Sequence, residues 1–322
     1  MVSIPETNIN SSGGLRPIPL IGMGMATAAE SSLQVKDAVI EAIKAGYRHF
    51  DTAKMYGTEK PLGEAIKEAL RLGLIKSRAE VFVTTKLWCD ATEGRLVLPA
   101  INESLRNLDL EYVDLYLIHW PLKIHQDDVK SPITKECIAA INIKDVWEAM
   151  EECQNLGLAK SIGVSNFYPR IIEEIFSFAK IPPAINQVEM NPLWQQKKLI
   201  EFCKKKDILL TGYSPLGSFS TKWGHNRVME CDVLQDIAKS KGKTVAQISL
   251  RWMYEQGVSF VVKSFNTERM KQNLDIFGWS LTEEELIKIS RIPQQKHGYL
   301  TGTLVKEPID IITEIDEGLA FQ

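Results

Sequence analysis

Four side chains of this 322-residue chain form a chemically coherent set: Asp51, Tyr56, Lys86 and His119. A phenol is a poor acid near neutrality, because its ordinary pKa is about 10. A nearby ammonium favours the phenolate and lowers that value, and a carboxylate can hold the ammonium in place. A histidine beside them can orient a carbonyl oxygen. The combination suits delivery of a proton to a carbonyl oxygen while a hydride reaches its carbon. Singly, each residue has an ordinary explanation: an Asp as turn former or helix cap, a Lys as solvated charge, a His or Tyr as packing. Together they read differently, since Asp51, Lys86 and His119 close successive apolar runs and Tyr56 lies in the short loop after Asp51.

A second group suits a nucleotide. Ser165, Asn166 and Gln187 offer neutral hydroxyl and amide groups that can bond a carboxamide, and Tyr213 offers a face for a flat heteroaromatic ring. In KSFNTERMKQN, the residues Lys263, Ser264 and Arg269 place two cations and a hydroxyl where a strand passes into a helix. Such a junction binds phosphate through charge and through free helix N–H groups. Its ordinary reading is a solvated turn with helix caps. No G-x-G-x-x-G is present, and GMGMA at 22–26 lacks the third glycine and a following helix at the right spacing, so a dinucleotide would bind without a Rossmann domain.

These residues need a frame that gathers strand ends. Tyr47–Asp51, Val81–Lys86, Val113–His119, Ser161–Asn166, Ala184–Gln187, Ile208–Tyr213 and Phe260–Lys263 read as short buried strands, with Pro19–Gly22 as the first. Helical periodicity falls between them, in Ser32–Ala45, Lys60–Leu74, Gly94–Leu108, Ile143–Leu156, Pro169–Ala179, Gln195–Lys205 and Thr244–Glu255. Alternating short strands and longer helices imply a parallel sheet, and this number of units favours a closed (β/α)8 TIM barrel, whose active site lies at the C-terminal mouth. Gly13 and Gly14 between short apolar segments predict an opening hairpin within residues 1–18. Three stretches break the rhythm: His119–Ala140, Gly217–Glu230 and Pro293–Gln322. The first two follow strand ends and are expected to wall the mouth; the tail is expected to be the most mobile segment.

Net charge is −3, so no general basic field attracts nucleic acid or an anionic membrane. No apolar run reaches the length of a spanning helix, and the opening residues show no signal-peptide pattern. Five dispersed cysteines suggest free thiols in a reducing, cytoplasmic compartment. No C-x-x-C, H-x-H or H-E-x-x-H element is present, so no metal site is expected.

The segments HFDTAKMYGTEKPLGEAI, VFVTTKLW, DLYLIHWP, SIGVSNF, NQVEMNP, GYSPLG and VVKSFNTERMKQNL, in this order from about residue 18 to 280, resemble the aldo-keto reductase superfamily. The resemblance implies one barrel domain over 1–322, NADPH as cofactor and a small-molecule carbonyl as substrate. It assigns Tyr56 as general acid, Lys86 and Asp51 as the groups that tune it, and His119 as the residue that orients the carbonyl. It places Ser165, Asn166 and Gln187 on the nicotinamide carboxamide with Tyr213 against the ring, and Ser214, Leu216 and Ser218 along the cofactor. Lys263, Ser264 and Arg269 would take the 2′-phosphate, with Gln272 and Asn273 near the adenine; a monomer is the expected state.

Within that superfamily the chain looks most like a plant group that includes codeinone, methylecgonone, polyketide (chalcone) and galacturonate reductases. An alkaloid ketone of the methylecgonone or codeinone type is the expected substrate, with a polyketide ketone or a uronic-acid aldehyde as alternatives. A non-catalytic NADPH-binding subunit is the alternative of another class. Trp88, Trp120, Trp223 and the tail around Tyr299 would wall the pocket. Met25 and Ala26 stand where many members have Thr-Trp, which predicts a wider pocket. Lys54 stands where a small residue is common, either facing solvent or adding charge near Tyr56.

Overall fold

The computed structural model describes residues 4–26, 31–124, 137–217 and 226–295. Strands β1 (Glu6–Ser11) and β2 (Gly14–Pro19) form an antiparallel hairpin whose turn needs Gly14 at φ 102°, a conformation a side chain would oppose. Then β3 (Ile21–Gly24), β4 (His49–Asp51), β5 (Phe82–Leu87), β6 (Val113–Ile118), β9 (Ala159–Ser165), β10 (Ile185–Glu189), β11 (Leu209–Tyr213) and β12 (Ser259–Val262) close a barrel in chain order. Every neighbouring pair in it is parallel. Nearly all of their residues are buried, because side chains on one face fill the barrel and those on the other meet helices.

The outer layer is α1 (Ser32–Ala45), α2 (Glu59–Arg71), α3 (Gly94–Leu108), α4 (Ile143–Asn155), α5 (Pro169–Phe176), α6 (Lys197–Lys205), α7 (Asp232–Lys241), α8 (Val245–Glu255), α9 (Thr267–Leu274) and α10 (Glu283–Ser290). Local chemistry sets several of these ends. Ser31, Thr244 and Thr282 open their helices with reciprocal capping boxes, and Gly46 and Gly242 close theirs in the left-handed region. The sequence reading passes over α7 and α10, although Thr282 and Glu285 carry a capping-box spacing. Within the stretch read as a structureless loop after His119, β7 (Leu122–Ile124) pairs with β8 (Ile138–Ala140). Among the described residues no helix is long and apolar enough to cross a membrane.

The hairpin sits at the end of the barrel where strands begin. Ser161 Oγ donates to Asn10 O at 2.7 Å, and Ser11 Oγ donates to Lys160 O at 2.9 Å. Ile9 and Ile18 pack there on Phe82, Leu115, Leu117, Ala184 and Ile185. Beneath them Asp114, fully buried, accepts from Arg16, from Arg78 at 2.7 Å and from the Val83 N–H at 2.8 Å. With that end plugged, the opposite end remains as the mouth.

Candidate active site

Asp51 ends β4 and Lys86 lies in the last turns of β5, and the register pairs Asp51 with Thr84 and Leu87 with Ile118, just before His119. Parallel pairing therefore delivers all three side chains to the same rim. Lys86 is fully buried and donates to Asp51 Oδ1 at 2.5 Å and to Thr52 O at 2.9 Å. Its Nζ lies 4.9 Å from the centre of the Tyr56 ring. Burial pulls this ammonium below the ordinary lysine value, against the opposing attraction of Asp51.

Tyr56 comes from no strand. It ends a single 3-10 turn, Lys54–Tyr56, closed by Gly57 at φ 66°. Its hydroxyl lies 3.3 Å from His119 Nε2, and the two rings meet edge to face with centroids 5.5 Å apart. Burial, with the Lys86 charge adding to it, pushes the His119 imidazole well below its ordinary value. The folded site therefore favours the neutral imidazole, and among the described residues its Nδ1 is buried without a partner. The Trp88 ring meets His119 edge to face at 5.1 Å, and among the described residues the Trp88 indole N–H is also buried without a partner.

The second group gathers beside the first through side-chain bonds. Asn166, at φ 64°, donates to His119 O at 3.0 Å and to Ser165 Oγ at 3.1 Å, and accepts from the Tyr213 hydroxyl at 2.9 Å. Ser165 Oγ donates to Gln187 O at 2.9 Å. Gln187 Nε2 donates to Asp51 Oδ2 at 2.7 Å, so one carboxylate holds both Lys86 and Gln187. The sequence shows no sign of that link, because Gln187 and Asp51 are 136 residues apart. The amide oxygen of Gln187 has no partner among the described residues, which leaves it able to accept from a carboxamide. Strain at Asn166 and at Ser214, φ 51°, lies where such residues commonly serve a site.

At the β12–α9 junction Asn266 caps the helix, its side chain accepting from the Arg269 N–H at 2.9 Å. Lys263 and Arg269 are exposed, and among the described residues neither pairs with a carboxylate. Two unpaired cations at a helix N-terminus are what a phosphate would need. Ser264 Oγ accepts from the Asn266 N–H, and Gln272 is exposed on the same short helix. Asn273 is different: it is buried with its side chain on the Tyr47 hydroxyl, which leaves little of it for an adenine. Tyr213, Ser214 and Leu216 line the chain leaving β11, each half-buried.

Two pocket expectations change. Met25 is not a free wall residue: its side chain is fully buried in the main core, and its backbone carbonyl accepts from Thr58 Oγ1 at 3.4 Å. Lys54 neither faces bare solvent nor adds an uncompensated charge, because Glu103 lies 3.0 Å and Asp90 3.6 Å from its Nζ. Trp88 and Trp120 are both buried at the rim. Ser218, Trp223 and Tyr299 lie outside the described residues. The sequence reading also misses Thr52 and Thr58, whose hydroxyls bond each other at 2.7 Å across the Tyr56 turn. Their signal is available: hydroxyl residues flank both ends of a short loop.

The profile of the Aldo/keto reductase family matches residues 20–293. The chain is 55% identical over 321 residues to a D-galacturonate reductase of Fragaria ananassa, covering 99% of this chain and 100% of the relative. It is 54% identical over 319 residues to a 7-acetyl-epi-neemfruitin B aldo-keto reductase of Melia azedarach, covering 98% of each. The crystal structure of a Bombyx mori aldo-keto reductase in complex with NADP superposes with a TM-score of 0.79 at 37% identity, over 91% of this chain and 94% of that one.

Proposed function

The chain belongs to the aldo/keto reductase family, and from that membership we propose how its residues reduce the carbonyl group of a small plant metabolite. It is an NADP(H)-dependent oxidoreductase, and NADPH when bound supplies the hydride. The neutral groups at the ends of β9 and β10 and the free cations at α9 fit such a cofactor. In this reading Ser165, Asn166 and the Gln187 amide oxygen hold the carboxamide, and Tyr213 covers the ring. Lys263, Ser264 and Arg269 take the 2′-phosphate, and Ser214, Leu216 and Gln272 line the same path.

Tyr56 is the proposed acid: its proton moves from the phenol oxygen to the carbonyl oxygen. Lys86, packed beneath the ring and anchored by Asp51, stabilises the phenolate left behind. Asp51 is in turn held by Gln187, so the group that sets the ammonium is oriented from the proposed carboxamide site. Neutral His119 does not compete as an acid and is free to orient the oxygen through Nε2. The observation that carries this reading is the contact series Asp51–Lys86–Tyr56–His119, gathered from three strands and one turn. A binding-only subunit has no need of the whole series.

The finer reading is a ketone on an alkaloid skeleton, of methylecgonone or codeinone type. It is supported by the Trp88 ring, which meets His119 edge to face and is of the kind that suits a polycyclic body and a tertiary ammonium. A uronic-acid aldehyde is the second reading, supported by the identity to the D-galacturonate reductase. The test is NADPH oxidation with methylecgonone, codeinone, polyketide ketones and D-galacturonate, run on wild type and Tyr56→Phe. Turnover of an alkaloid ketone in preference to the uronate is expected, with a loss of at least about a hundredfold in Tyr56→Phe and NADPH binding retained. A preference for D-galacturonate moves the substrate to the second reading, and a fully active Tyr56→Phe overturns the mechanism.

A further inference from the structure

The turn that carries Tyr56 has little stability of its own. It is one 3-10 turn with no side-chain cap, closed by Tyr56 N–H to Ala53 O at 3.0 Å and Gly57 N–H to Lys54 O at 3.1 Å. A single turn forms too few bonds to offset the cost of ordering it, so neighbours must impose its position. At its base the Thr52–Thr58 hydroxyl bond and the Thr58 bond to Met25 O hold the two ends together. Beneath the ring lies Lys86.

The remaining side is held by Lys54. Its ammonium sits 3.0 Å from Glu103 Oε2 on α3 and 3.6 Å from Asp90 Oδ2, on the 3-10 turn Cys89–Ala91 that directly follows Trp88. Burial opposes the charge, but the bonds to Glu103 and Asp90 outweigh it and hold the ammonium above its ordinary value. Lys54 is thus the residue through which the Tyr56 turn is joined to both the β5 loop and the helix behind it.

We propose that Lys54 is a positioning residue for Tyr56: its ion pairs with Glu103 and Asp90 seat the Lys54–Tyr56 turn and so set the reach of the Tyr56 hydroxyl to His119. This rests on the reading of Tyr56 as the acid. A long cation at this position bridges the β5 loop and α3, which explains a lysine here without giving it a chemical step.

The test uses the full chain as Lys54→Met, Lys54→Arg, Glu103→Gln and the charge swap Lys54→Glu with Glu103→Lys. Amide exchange of the unliganded protein, followed by mass spectrometry, should quicken in residues 53–58 of Lys54→Met and Glu103→Gln and stay slow in Lys54→Arg. With NADPH and 4-nitrobenzaldehyde as probe, kcat should fall about three- to tenfold in Lys54→Met, with the KM for NADPH unchanged and the swap restoring part of the loss. Wild-type exchange and kcat in Lys54→Met overturn the proposal, as does an equal kcat loss in Lys54→Arg. The exchange response in Lys54→Met and Glu103→Gln, in a protein whose wild type reduces no carbonyl, overturns the acid role of Tyr56 while leaving the seating of the turn in place.

Discussion

Asp51 is the residue on which the site converges, because its two oxygens hold Lys86 and Gln187 separately. Its neighbours were legible singly, since Asp, Lys and His at strand ends announce themselves, but the sharing was not. Histidine behaviour also belongs to this scale. Burial pushes His49 down to about 4, and burial with the Lys86 charge pushes His119 down as well. In the unfolded chain both imidazoles take a proton near pH 6.5, while the folded chain resists it. The stability they contribute is complete above that pH and is lost as pH falls toward the folded value. For His49 the window runs from 6.5 to about 4, worth about 3 kcal/mol at ~1.4 kcal/mol per unit. Urea unfolding of wild type and His49→Asn near pH 7 and pH 4 should show wild type losing that much more across the interval. Parallel pH slopes would contradict it.

At the scale of elements, strand ends carry most of the proposed site, one 3-10 turn carries Tyr56, and one helix end carries the proposed phosphate contacts. The α9 N-terminus shows one of these: Asn266 caps it, and among the described residues neither Lys263 nor Arg269 pairs with a carboxylate beside it. Arg269→Ala should weaken NADPH about tenfold or more while leaving NADH affinity within about twofold, because only the former carries the 2′-phosphate. Fluorescence titration with both nucleotides decides this, and equal losses would place Arg269 elsewhere. The KSFNTERMKQN segment made this junction readable, since a strand, a cap and two cations follow one another locally. Asn273 was less readable, because which face of α9 turns inward is set by its packing on Tyr47. The β7–β8 pairing was likewise hidden, its strands being three residues each.

For the whole molecule, stability and chemistry occupy opposite ends of the barrel. The plug end depends on Asp114, which is fully buried and serves Arg16, Arg78 and the Val83 N–H. Asp114→Ala would leave two half-buried guanidinium groups without this anion and the buried Val83 N–H without its acceptor, at a cost of about 3 kcal/mol. Urea unfolding should report that loss, while NADPH affinity of the folded fraction stays at the wild-type value. A change in affinity larger than the change in stability would show the two ends to be coupled. Gly22 enforces the same closure: a Cβ there would lie 2.6 Å from His49 Nδ1, so the β3–β4 contact requires glycine.

The sequence by itself determined the alternation of strands and helices, the closing of the barrel and the residue types at its rim. These follow from periodicity and from local capping, which are properties of neighbouring residues. The tertiary structure alone decided which of those residues touch. Gln187 reaches Asp51 because β10 and β4 curve toward one mouth, and Lys54 meets Glu103 because α3 packs behind the Tyr56 turn. Met25 is buried for the same kind of reason, its side chain filling core that a neighbour would otherwise occupy. Contacts across long loops depend on the closure of the whole barrel, and no local pattern encodes them.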